Sequence, residues 1–252
     1  MIKFFRKIRQ KLLPENKFSK YLVYAIGEIV LVVIGILLAV QINSWNQDRK
    51  DAKTELDVLK KLNTNIQTDT ATFHKGISQI QSSLDKLNII EDEINNEKLD
   101  RFSINIIRPM LDAVNINLET TTWENLKSTG ELNLIKNAQL TDSIQNYYIQ
   151  FSLNSRAWTD AYVEYNRNIL APKFFELDDF SMFAPSDSID PDIQKKQPFA
   201  YGQSIFFRNS LRYRKGALQS LLIVFKKDLS RAKSVLKMLN EEIIIKKAQL
   251  RL

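Results

Sequence analysis

The chain has 252 residues, 44% of them hydrophobic and 14 of them Phe, which is enough apolar material for one domain with a real core beside any membrane segment. It contains no Cys, and this excludes disulfides, thiolate metal sites and thiol nucleophiles together. The net charge of +7 suggests nucleic acid only until its distribution is read: residues 1–20 hold +6 of it, leaving +1 for the rest, so it is a topology signal and nucleic-acid binding is set aside.

Residues 1–20 mix Lys3, Arg6, Lys7, Arg9, Lys11, Lys17 and Lys20 with Ile2, Phe4, Phe5, Ile8, Leu12 and Leu13, opposed by Glu15 alone. This composition suits a short basic amphipathic segment, ended by Pro14, lying on anionic lipid at the inner membrane surface. Tyr21 to Val40 follow, YLVYAIGEIVLVVIGILLAV, with a single charge among twenty residues. A helix of that length crosses a bilayer core of about 30 Å. We expect a transmembrane helix over 21–42, with Tyr21, Tyr24 and Trp45 at its interfaces.

The far side carries a mixed set, Asp48, Arg49, Lys50, Asp51, Lys53 and Glu55, so the basic asymmetry puts the N-terminus in the cytoplasm and residues 43–252 outside it. A cleaved signal peptide needs a shorter apolar run and a small-residue exit. Here Glu28 interrupts the run and the exit reads Leu-Ala-Val-Gln-Ile-Asn, which favours an uncleaved anchor. The lack of Cys makes the periplasmic side of a bacterial inner membrane the easier setting for the outer domain.

Beyond Trp45 a helix is expected over about 46–97. Leu59, Ile66, Phe73, Ile80 and Leu87 recur every seventh residue, with Leu56, Asn63, Thr70, Ile77 and Leu84 as the companion column. A seam with a 3.5-residue period is that of a helix packed lengthwise on another, here a stalk about 45 Å long. Residues 91–101, EDEINNEKLDR, read as its end and a turn. Shorter helices are expected over about 103–172: one interrupted at Pro109, one capped by Thr120 to Thr122 and Gly130, and one starting at Asn137 or Thr141 and running to Pro172.

Residues 173–203, with Pro185, Pro191 and Pro198 among Asp and Ser, read as a loop whose aromatics Phe174, Phe175, Phe180, Phe183, Phe199 and Tyr201 suggest that it packs on something: a cap on the open end of the bundle is the favoured reading, a lid or a partner surface the alternative. The last helix, about 205–250, carries Leu218, Leu222, Phe225, Leu229, Ala232, Leu236, Leu239 and Ile243 at alternating steps of four and three. Two long amphipathic helices bracketing the domain imply antiparallel pairing, with Lys246, Lys247 and Arg251 near Asp48, Asp51 and Glu55 in exposed, weak pairs. The expected fold class is all-α: one N-terminal transmembrane helix continuing into an elongated antiparallel helical bundle.

FFRKIRQKLLPENKFSKYLVYAIGEIVLVVIGILLAVQINSWNQ resembles the N-terminal signature of a family of bacterial single-span membrane proteins classed as a domain of unknown function, with a basic FFRKIR start, a GEIVLVVIGI span and an NSWN exit. TWENLKSTGELNLIKNAQLTDSIQNYY is similar to a W-x-x-L-K-x-x-G-x-L-x-L-I block of such proteins. The resemblance covers about the first 50 residues and 30 in the middle, not 173–203. It implies topology and localisation, and it supplies no catalytic residues.

Glu28 is the sharpest single feature, because an ionisable group within a span is costly and needs a partner or a route to the interface. With Gly35 and Ile42 on the same face and Gly35-x-x-x-Ala39 permitting close approach, Glu28, Gly35 and Ala39 are candidates for a membrane-helix contact, in a homo-oligomer or with another membrane protein. A proton carrier of the stator type is the functional alternative, by architectural analogy. Trp123, Tyr147, Tyr148, Trp158 and Tyr162, with Tyr165, form either core or a small-molecule pocket, and aromatics at helical spacing are more often core.

His74, the sole histidine, is expected on the helix surface, since one histidine makes neither a zinc site nor a triad. The carboxylates Glu91, Asp92, Glu93 and Glu97 read as a solvated helix end. No phosphate loop, nucleophile elbow or His-Glu-x-x-His helix is present. The expected role is an interaction or scaffolding subunit of an envelope assembly, without enzymatic activity, metal or cofactor. The alternative is a ligand-sensing domain signalling through its span.

Overall fold

The computed structural model describes residues 18–98, 104–175 and 203–250. The described residues form helices: α1 Phe18–Asn95, α2 Ile104–Leu111, α3 Thr121–Thr129, α4 Ala138–Phe151, α5 Ala157–Tyr165, α6 Ala171–Phe175 and α7 Ile205–Leu250. A 3-10 turn, Glu131–Leu134, lies between α3 and α4, and two π-turns, Ser152–Arg156 and Asn166–Leu170, lie on either side of α5. The basic segment 1–17, the greater part of the expected loop, 176–202, and Arg251 lie outside the described residues. The chain divides into two compact units, 1–54 and 55–252, each described by itself.

In the first unit the described apolar side chains face outward: Ile29, Leu31, Leu37 and Ile42 are 62 to 64% exposed. Among the described residues α1 is the one helix long and apolar enough to cross a membrane. A helix apolar on all sides needs an apolar surround. Tyr24 and Trp45 are likewise exposed.

The second unit is built on the two long seams. Leu59, Ile66, Phe73, Ile80 and Leu87 are each fully buried, as the sevenfold spacing requires. Contacts from this part of α1 to α7 fall in sequence number on one helix as they rise on the other: Glu55 with Lys246, Asn63 with Asn240, Phe73 with Phe225 and Glu91 with Lys215. Asn63 Nδ2 donates to Asn240 Oδ1 at 2.9 Å, joining a buried amide on α1 to an exposed one on α7 at the edge of the seam. Phe73 meets Phe151 and Phe225 edge-to-face, with centroids 6.0 and 5.9 Å away.

The companion columns differ from expectation. On α1 the more deeply buried partner of the Leu59 column is Glu55, Leu62, Asp69, Gly76 and Ile90, with Ser83 half-buried; of the expected column Leu56 and Asn63 are buried, and Thr70, Ile77 and Leu84 are half-buried. On α7 it is Arg214, Leu221, Asp228, Val235 and Glu242; of the expected column Leu229 is buried, and Leu222, Leu236 and Ile243 are half-buried. An apolar pattern passes over these columns because charged residues sit in them. Each such residue has a partner that permits its burial.

The ion pair near the end of α7 also differs from expectation. Lys246 Nζ lies 2.9 Å from Glu55 Oε2 and 3.8 Å from Glu242 Oε1, and all three side chains are buried rather than exposed. Glu55 Oε1 also accepts from the Lys136 N–H at 2.8 Å, and Glu242 Oε2 from Asn137 Nδ2 at 2.7 Å.

Helix ends follow local chemistry. Gly130 closes α3 in the left-handed region at φ 73°, its N–H bonded to the Lys127 carbonyl. Asn137, not Thr141, starts α4, with its Oδ1 accepting from the Leu140 N–H at 3.1 Å. Thr120 makes no side-chain cap; the Glu119 carboxylate instead accepts from the Thr121 N–H at 3.3 Å and its hydroxyl at 2.6 Å. The helix expected to end at Pro172 runs on to Phe175. Pro172 follows a π-turn, whose wider winding already breaks the regular ladder that a proline disrupts.

Candidate functional site

Asn65, Asp69 and Phe73 lie four residues apart along one face of α1, so the helix presents two polar groups and a ring in line. Against them runs the extended segment 112–120, which follows α2. Asp69 is fully buried, and both of its oxygens are used: Oδ1 accepts the Glu119 N–H at 2.7 Å and Oδ2 the Tyr147 hydroxyl at 2.9 Å. The Glu119 carbonyl accepts from Asn65 Nδ2 at 3.2 Å and from the Tyr148 hydroxyl at 3.1 Å. One backbone residue is thereby fastened to α1 and α4 through both its N–H and its C=O.

Burial pushes the Asp69 carboxyl up to about 6, against the two donors, which favour the charged form; the Glu119 carboxylate pushes the same way as burial. Burial and the adjacent Asp69 charge raise the Tyr147 and Tyr148 hydroxyls well above their ordinary range, so both remain donors. Trp123 stacks on Tyr148 with centroids 5.9 Å apart, and Tyr148 tilts against Tyr147 at 4.9 Å.

A surface groove of about 340 Å³ lies over this cluster, lined by Trp123, Glu124, Lys127, Leu132, Gln145 and Tyr148, with Ile149 and Ser152. Trp123 and Tyr148 are only 2% and 8% exposed, so they offer edges rather than faces to anything in it. Glu124 and Lys127 pair on its rim at 3.1 Å.

A second polar group closes the C-terminal end of α2, where backbone carbonyls lack helical partners. Arg214 Nε donates to the Pro109 carbonyl at 3.3 Å and its Nη2 to that of Asp112; the Tyr162 hydroxyl donates to Met110 at 2.8 Å and Asn166 Nδ2 to Leu111 at 2.7 Å. Four successive carbonyls are satisfied by three side chains. The Arg214 guanidinium also lies 3.9 Å from the centre of the Tyr162 ring, and burial lowers its pKa to about 10. A cation at a helix C-terminus suits the helix dipole.

The two π-turns place two further buried polar residues, Ser155 and Asn166. Each adds a residue to a turn and so brings inward a side chain that regular winding would not. Ser155 donates to Asp228, whose other oxygen pairs with Arg231, and Asn166 reaches α2.

The expected aromatic set therefore divides. Trp123, Tyr147 and Tyr148 come together around Asp69, Tyr162 belongs to the Arg214 group, Tyr165 packs on Tyr213 at 4.3 Å, and Trp158 is 45% exposed. Glu28, Gly35 and Ala39 are exposed in the first unit, and a Cβ at Gly35 would meet nothing within 4 Å. His74 is exposed, and Glu91 pairs with Lys215. Among the described residues no group of three His, Cys, Asp or Glu is placed to hold a metal.

Pattern reading missed Asp69 and Arg214. Both could have been found as charged residues at heptad positions between apolar neighbours: Asp69 between Ile66 and Phe73, and Arg214 between Leu211 and Leu218. Comparison with protein-family models, curated proteins and solved structures finds no match to the chain.

Proposed function

We propose that the chain is a single-pass bacterial inner-membrane protein with its N-terminus in the cytoplasm, its residues 43–252 forming an elongated antiparallel helical bundle in the periplasm that serves as an interaction or scaffolding subunit of an envelope assembly, without catalytic activity of its own. The observation that carries this reading is the contrast within α1: apolar side chains exposed from Leu22 to Trp45, then an apolar column fully buried from Leu59 to Leu87. An exposed apolar helix calls for lipid or another span.

In-membrane crosslinking of the full chain, read by mass spectrometry, tests the role. Crosslinks recurring between fixed positions of the outer domain and one protein, or a second copy, are expected; a monomer without recurrent partners, or a chain released from membranes by carbonate, would overturn it. The groove beside Trp123 favours a second reading, a ligand-sensing domain. A metabolite that raises the melting temperature of the wild-type chain, but not of a Gln145→Ala variant, would replace scaffolding by sensing. Glu28→Gln keeps size and hydrogen bonding, so unchanged phenotype and assembly in that variant would eliminate proton carriage through the span.

A further inference from the structure

Asp69 is a buried acid with no lysine or arginine paired to it among the described residues. The charged and titratable groups around it are all acids or phenols, apart from one arginine taken by another carboxylate. Glu119 faces it from segment 112–120, and Tyr147 and Tyr148 from α4, the latter also near Glu124 of α3. From α7, Asp228 acts on Tyr147, and the neighbouring Arg231 is bonded to Asp228. Ionising Asp69 places a negative charge where burial and Glu119 both oppose it, with two donors as the whole compensation.

We propose that the buried cluster of Asp69, Tyr147 and the Glu119 backbone is a pH-sensitive latch: the closed packing of segment 112–120 and of the Trp123–Tyr148 wall accommodates a protonated Asp69, whereas an ionised Asp69, buried without a cation and only partly compensated by its two donors, favours opening to water. The wall follows the latch because the Glu119 carbonyl accepts from the Tyr148 hydroxyl and Tyr148 stacks on Trp123. The device stands independently of what the outer domain binds.

The sign follows from linkage. The carboxyl is raised from 3.8 to about 6 in the closed state, so the closed state binds the extra proton. Its added stability is fully present below about 3.8 and lost as the pH rises through about 6.

Hydrogen exchange of the full chain in detergent micelles, followed by mass spectrometry and divided by the unfolded-peptide rate at each pH, reads the opening of 112–120. Between pH 4.5 and 7.5 the opening equilibrium of this segment should rise by a factor on the order of 20, while Asp69→Asn should hold it level. A level profile in the wild type, or the same rise in the Asn variant, overturns the latch. Should the Asn variant fail to fold, Tyr147→Phe decides: losing a donor that favours the ionised form must move the midpoint to higher pH, and an unmoved midpoint overturns the proposal.

Discussion

Replacing Gly76 by Ala separates two effects that the structure sets in opposition. In a helix interior alanine is favoured over glycine by about 1 kcal/mol. At Gly76, however, an added Cβ would lie 2.9 Å from Cε2 and 3.2 Å from Cδ2 of Phe225, and 3.1 Å from Cγ2 of Ile116. The Phe225 ring has little freedom to yield, because it meets Phe73 edge-to-face at 5.9 Å and Phe73 is itself fully buried. An extra methyl forced into a packed core costs about 1–3 kcal/mol. Gly76→Ala should therefore be neutral to destabilising by about 2 kcal/mol. At Gly216, in α7, an added Cβ would meet nothing within 4 Å, so Gly216→Ala should stabilise by up to about 1 kcal/mol. The gap between the two variants isolates the crowding term, about 1–3 kcal/mol. Urea denaturation of the full chain in a mild detergent, followed by circular dichroism, measures both midpoints. Equal stabilisation by the two substitutions would refute the view that Gly76 is there to admit the Phe225 ring.

Lys246→Met leaves Glu55 buried with the Lys136 N–H as its remaining donor, and should cost about 3–5 kcal/mol. Adding Glu55→Gln should restore most of that loss, and strictly additive losses in the double variant would show that the pair is not coupled. Arg214→Lys keeps a positive charge but cannot reach the Pro109 and Asp112 carbonyls together; stranding one should cost about 1–3 kcal/mol, read as a shift in melting temperature, and an unshifted transition counts against the helix-end clamp.

The long seams were legible because they obey a period. Leu59 to Leu87 and Leu218 to Leu239 announce themselves by repetition, and Gly130 and Asn137 by the backbone conformations they permit. The columns beside the seams are legible only in part: Leu56, Asn63 and Leu229 are buried as their spacing implies, but an apolar pattern skips the adjoining Asp69, Asp228 and Glu242. Whether a charged residue is buried depends on partners far away in sequence: Glu119 and Tyr147 for Asp69, Ser155 for Asp228, Asn137 for Glu242. The aromatic set looked like a single group because its members share helical spacing from Tyr147 to Tyr162. A π-turn has no compositional mark, so its displacement of Trp158 outward and Ser155 inward could not be read from the residues alone.

The two π-turns also record how the stretch from Ala138 to Phe175 tolerates changes of length. Each is a place where one residue more than the regular winding requires is carried without interrupting the helix. Deleting a single residue within Ser152–Arg156 would let the backbone return to ordinary α geometry at that point, with the helix beyond keeping its present phase, whereas a deletion within the regular winding of α5 would turn everything beyond by about 100° about the helix axis. The first change leaves Tyr162 and Asn166 facing the carbonyls of α2; the second turns Asn166 away from them. In this stretch where a residue is lost therefore matters more than that it is lost, because the chain already carries one surplus residue in each π-turn.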